Sequence, residues 1–150
     1  MATICFGIIL ETGTVLPWNQ APYGGDLAAW WRDVNGFRHS FQAYDADGRR
    51  LLGIAEAEIR RYHQEAIDWD DGHPRPIDLA NFGSARLPIF VLAFPGARWT
   101  SYRGDPTEIY PDELQVPAWA ANALVGFCER FGIDTGGHQP RWWLGSCWGE

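Results

Sequence analysis

The run Leu87-Pro88-Ile89-Phe90-Val91-Leu92-Ala93-Phe94 constrains this chain more than any other stretch. It carries no charged or polar side chain, and Gly83 before it and Pro95-Gly96 after it close it off. Eight apolar residues are too few to span a membrane, and the share of Ile, Val and Phe suits a strand. A strand sends successive side chains to opposite faces, and here both faces are apolar. The run is therefore expected to be the central strand of a sheet covered on at least one side by helices. Ala2 to Leu10 is a second candidate for the sheet interior, with Ile4, Phe6, Ile8 and Leu10 on one face and Cys5, Gly7 and Ile9 on the other. Gly7 marks a place where another backbone or a ligand comes close.

Further elements follow in order. Thr12 to Gly25 reads as a loop. Asp26 caps a short helix through Asn35, stopped by Gly36, with Leu27, Trp30 or Trp31, and Val34 as its inner stripe. Consecutive helical residues point about 100° apart, so one of the two tryptophans sits at the edge of that stripe. Arg38 to Tyr44 alternates like a half-buried strand and is followed by the turn Asp45-Ala46-Asp47-Gly48. Ala43 and Ile54 fall where a calcium loop needs Asp and Glu, so calcium is rejected. Ala55 to Asp70 is a surface helix with Ile59, Tyr62, Ala66 and Trp69 inward and the pairs Glu56–Arg60 and Arg61–Glu65 outward.

Pro76 to Phe82 and Arg98 to Arg103 read as strands flanking the central run, and Gly104 to Val116 as a long surface loop. Pro117 opens a helix ended by Gly132, with Ala120, Leu124, Phe127 and Phe131 on its inner side. Arg141 to Trp148 is the last strand, with Trp142, Leu144 and Trp148 on one face and Arg141, Trp143 and Cys147 on the other. Neighbouring strands without helices between them predict a single α+β domain over 1–150: a mixed or antiparallel sheet of five or six strands with about three helices packed on it.

Composition excludes some functions. With 46% hydrophobic and 21% charged residues the chain is globular, and a net charge of −7 argues against direct binding of nucleic acid or of anionic membranes. The three cysteines are widely spaced and never form a Cys-x-x-Cys pair, and no basic segment precedes the first apolar residues. Free thiols and a cytoplasmic location are expected. All twelve basic residues are arginine, as a GC-rich genome produces, and nine residues are tryptophan.

Catalytic motifs are missing. No Gly-x-Ser-x-Gly elbow, Walker motif or Gly-x-Gly-x-x-Gly occurs. Cys147 and His138 are the nearest approach to a thiol–imidazole pair, and sequence picks out no carboxylate pair among 19 acids. His63, Asp68, Asp70, Asp71 and His73 carry metal-ligating groups, but an acidic helix end followed by a turn accounts for the same letters, and neither metal nor cofactor is expected. A small hydrolase with a carboxylate or His/Asp site is the enzymatic alternative.

Binding is the favoured reading. Arginines adjoin aromatic residues at Trp31-Arg32, Arg98-Trp99, Tyr102-Arg103 and Arg141-Trp142. Rings that stack on a base and guanidinium groups that meet a phosphate suit a small anionic nucleotide. The expected ligand-binding residues are Trp30, Trp31, Arg103, Arg141 and Trp143. The structural alternative for each is a core tryptophan with an arginine stem laid across it.

The Ile4-Cys5-Phe6-Gly7 strand, the Trp30-Trp31 helix and the Pro140-Arg141-Trp142-Trp143 strand resemble a type of small protein encoded by tailed bacteriophages. The resemblance transfers no active site. It implies an inhibitor of host defence, with either a small anionic ligand or a host defence protein as partner. In the second case Asp68, Asp70, Asp71, Asp112 and Glu113 would present a nucleic-acid-like surface. Homo-oligomerisation is left open.

Overall fold

The computed structural model describes residues 1–84 and 86–147. The chain forms two compact units, one of Met1–Pro17 with Pro76–Glu150 and one of Trp18–Arg75.

The first unit is built on an antiparallel sheet of four strands, β1 (Ala2–Ile9), β2 (Asp78–Gly83), β3 (Pro88–Ser101) and β4 (Arg141–Ser146), in the order β2-β3-β1-β4. The expected class holds, but among the described residues five or six strands become four. One reason is that Pro95-Gly96 does not end the apolar run. β3 continues to Ser101, absorbing the separate strand expected at Arg98 to Arg103. Pairing with β1 shifts between Cys5↔Arg98 and Gly7↔Ala93, so the proline and glycine are taken up in a bulge. Gly7 is required there, because a Cβ at this position would lie 2.2 Å from the Leu92 carbonyl oxygen. The close approach foreseen at Gly7 is thus made by the backbone of β3.

The sheet encloses its own core on one face. Cys5, Ala80, Phe82, Val91 and Ala93 form a buried cluster, with Ile9 and Trp143 packed against it. β2 and β4, at opposite ends of the strand order, are drawn together across this face. Gly83 bridges to Cys147, the Cys147 thiol donates to the Asn81 carbonyl at 2.9 Å, and Phe82 fills the space a Cβ on Gly145 would need. Helix α3 packs against β3 and β1 with Ala120, Leu124, Phe127 and Cys128 buried. It spans Ala120–Phe131, starting three residues after Pro117, and Gly132 closes it in the left-handed conformation.

The second unit contains α1 (Leu27–Val34) and α2 (Glu56–Gly72). Asp26 caps α1 by accepting from the Ala29 amide at 2.9 Å. Leu27 and Trp30 are buried, Trp31 lies at the edge of the stripe, and Val34 is exposed, contrary to expectation. Arg38 to Tyr44 is not a strand. Its His39, Ser40 and Tyr44 side chains are claimed by α2, and only Tyr44 forms a β-bridge, across the expected turn, with Arg50. The expected helix pairs are likewise redirected: Glu56 binds Arg50, Glu65 binds Ser40 and His39, and the Arg61 guanidinium lies 4.4 Å from the Phe41 ring centre. Trp18, placed in a loop by the sequence, is fully buried and packs on Trp30 with ring centres 5.2 Å apart. No helix among the described residues is long and apolar enough to cross a membrane.

Candidate functional site

β4 brings two of the five expected ligand-binding residues together. Alternation along the strand puts Arg141 and Trp143 on one face, opposite Gly7 and Cys5 of β1. The Trp143 indole N–H donates to the Gly7 carbonyl at 2.9 Å, which fixes the ring at the point where the β1–β3 ladder changes register. Both residues line a cleft of about 150 Å³ with Gly137, His138 and Gln139. Arg141 is exposed, and its guanidinium has no hydrogen-bond or ion-pair partner among the described residues. His138 Nε2 lies 3.5 Å from Glu11 Oε1, and Glu11 also packs on Gly136. The cleft thus holds one guanidinium, with one carboxylate on its border. His138 and Gln139 were not among the expected residues. They stand in the segment that leads into β4, and nothing local in the sequence marks them as ligand-binding.

The other three expected residues lie elsewhere. Arg103 lines a separate cleft of about 580 Å³ with Met1, Ala2, Ser101, Tyr102, Ser146 and Cys147. Trp30 and Trp31 belong to the second unit, where Trp30 is core. Trp148, expected on the face of Trp142, lies outside the described residues.

The second unit holds a polar cluster that the sequence did not disclose. Glu65 accepts from the Ser40 hydroxyl and, at 3.0 Å, from the Ser40 amide, while His39 Nδ1 lies 3.3 Å from the same carboxylate. The Ser40 donors hold the Glu65 carboxyl below the usual range. Burial lowers the His39 pKa and outweighs the raising effect of Glu65. The His39 ring stacks on Tyr62 at 3.5 Å, and the Tyr44 hydroxyl lies 3.1 Å from His63 Nε2. Since the serine hydroxyl donates to the carboxylate and not to the imidazole, His39 is not placed to take its proton. These contacts fasten the 37–44 segment to α2.

The weighed metal ligands are dispersed among other partners. Asp70 pairs with Arg32 at 2.8 Å, Asp68 accepts from Gln64 at 2.8 Å, and His73 stacks on Trp69 with ring centres 4.2 Å apart. Among the described residues no three His, Cys, Asp or Glu side chains are grouped to hold a metal ion. The Asp45 carboxylate, in the rejected calcium loop, accepts from the Asp47 and Arg49 amides. Glu113 accepts from the Tyr110 amide at 2.6 Å. Cys5, Cys128 and Cys147 are free, and burial raises the first two thiols to about 11, far from a reactive thiolate. No protein-family model, curated protein or solved structure matches the chain.

Proposed function

We propose that the protein is a binding protein that captures a small anionic, nucleotide-like molecule at the Arg141–Trp143 cleft, acting as a phage-type inhibitor of host defence. The single observation that carries this reading is the convergence of a partnerless arginine and a positioned tryptophan on one cleft. A guanidinium meets a phosphate through charge-assisted hydrogen bonds, and an indole offers a stacking face to any base. A cleft of about 150 Å³ is smaller than a typical ligand pocket and suits the anionic head, with the base lying over Trp143 at its rim.

One stacked ring contributes about 1–3 kcal/mol, and one arginine–phosphate contact contributes about 1.5–3 kcal/mol. Together they correspond to dissociation constants on the order of ten millimolar to tens of micromolar. Calorimetry against linear and cyclic nucleotides tests the reading. Binding that is lost in Arg141→Ala, an exposed position, supports it. The absence of binding to every nucleotide, or affinity unchanged in both Arg141→Ala and Trp143→Ala, overturns it.

A further inference from the structure

The outer edge of β4 has a definite pairing pattern. The Cys147 amide donates to the Met1 carbonyl at 3.0 Å, which makes those two residues a hydrogen-bonded pair of the β1–β4 ladder. Such pairs alternate along an antiparallel ladder, so Arg141, Trp143 and Gly145 direct their backbone groups toward β1. Trp142 and Leu144 direct theirs away from it. Among the described residues nothing pairs with those outward N–H and C=O groups. The same two residues carry exposed apolar side chains, Trp142 at 38% and Leu144 at 76%. The Trp142 ring is held in place by Phe6 and Trp99, with ring centres 5.5 and 6.0 Å away. An open strand edge with apolar side chains is a template for another strand.

We propose that this edge pairs with β4 of a second copy of the chain, antiparallel about a two-fold axis at Trp143, joining two four-stranded sheets into one of eight strands. The open stretch itself sets the register. Centring on Trp143 places Trp142 opposite Leu144 of the partner subunit, and the reverse, so four backbone hydrogen bonds form and each exposed apolar side chain covers the other. Centring on Leu144 would require the edge at Ser146, which the Gly83–Cys147 bridge adjoins. Centring on Trp142 would require an N–H from Pro140, which has none. Charge does not oppose the pairing, because Arg141 faces the uncharged Gly145 of the partner subunit. An isologous contact needs this self-complementarity. Five residues a side make a small interface, so the dimer is weak and concentration-dependent.

Sedimentation equilibrium from about 10 μM to about 1 mM protein reads the association directly. The expected result is a rise from one 16.9 kDa chain toward twice that mass. Leu144→Pro deletes an outward N–H that β1 does not use, so the variant is expected to keep the melting temperature and stay monomeric. Leu144→Lys leaves the backbone intact and is expected to weaken the dimer by about tenfold or more, as charges on natural strand edges do. It decides the matter if the proline variant does not fold. A wild-type chain that remains monomeric at about 1 mM overturns the proposal, as does association that Leu144→Lys leaves unchanged.

Discussion

The two units are held together by different forces. In the sheet unit, Cys5, Ile8, Ala80, Val91, Leu92 and Ala93 are at most 1% exposed, and backbone ladders tie the strands that carry them. The second unit buries few apolar side chains, namely Trp18, Leu27, Trp30, Ala43 and Ile59. Its 37–44 segment is fixed instead by side-chain hydrogen bonds and ring contacts to α2, through Glu65, Tyr62, His63 and Trp69. Apolar burial is non-directional and insensitive to protonation, whereas a network of carboxylate, imidazole and phenol depends on the charge state of each member. The sheet should therefore tolerate changes of pH and resist changes of shape, and the second unit should do the opposite.

The largest expected effect tests the shape-sensitivity of the sheet. Gly7→Val would push a side chain into the Leu92 carbonyl, forcing β1 away from β3. Overpacking of this kind costs about 3 kcal/mol or more where backbone cannot yield. Amide exchange should show lost protection across β1 and β3, and wild-type protection in the variant would remove the basis of the comparison. A smaller effect tests the second unit locally. Asp26→Ala removes the cap of α1, which typically costs about 1 kcal/mol, and the loss should be confined to the amides of α1.

The smallest effect sharpens the contrast most. The pKa of His39 is lowered from an ordinary value of 6.5, so the unfolded chain takes up a proton before the folded one does. The stability this contributes is full above pH 6.5 and is lost as the pH falls below it toward the lowered folded value. Glu65, lowered from 4.5, adds a second loss as the pH falls from 4.5 through its folded value. Both side chains are only partly buried, which keeps the effect modest. In an acid titration followed by amide exchange, α2 should lose protection before β1 and β3. Glu65→Gln should remove the lower-pH part of that loss. Simultaneous loss in both units would show that they share one cooperative response.

Sequence reading succeeded where a pattern was local and repeated. The two-sided apolar pattern of β1 and of the run within β3 identified the two interior strands. The stripe Ile59, Tyr62, Ala66, Trp69 identified α2, and Asp26 and Gly132 marked helix ends. It failed where a residue's partner is distant in sequence. Arg38 to Tyr44 alternates like a strand, yet among the described residues no strand pairs with it, and Glu65, 25 residues beyond Ser40, takes the polar groups of Ser40 and His39. Pro95-Gly96 reads as a stop because proline and glycine usually end strands, whereas a bulge lets β3 continue.

The candidate site divides along the same line. That Arg141 and Trp143 share a face follows from the two-residue period of any strand and was legible in the sequence. That His138, Gln139 and Glu11 adjoin them was not, because a turn and a register shift bring them there. The sequence by itself determined the fold class, the interior strands, the caps at Asp26 and Gly132 and the shared face of strand residues two apart, since φ/ψ preference and hydrophobic period act over a few residues. Tertiary structure alone decided the strand order β2-β3-β1-β4, the approach of β2 to β4, and the open edge at Trp142 and Leu144. These depend on contacts between residues dozens of positions apart, whose free energy is set by mutual fit and leaves no periodic trace in the chain.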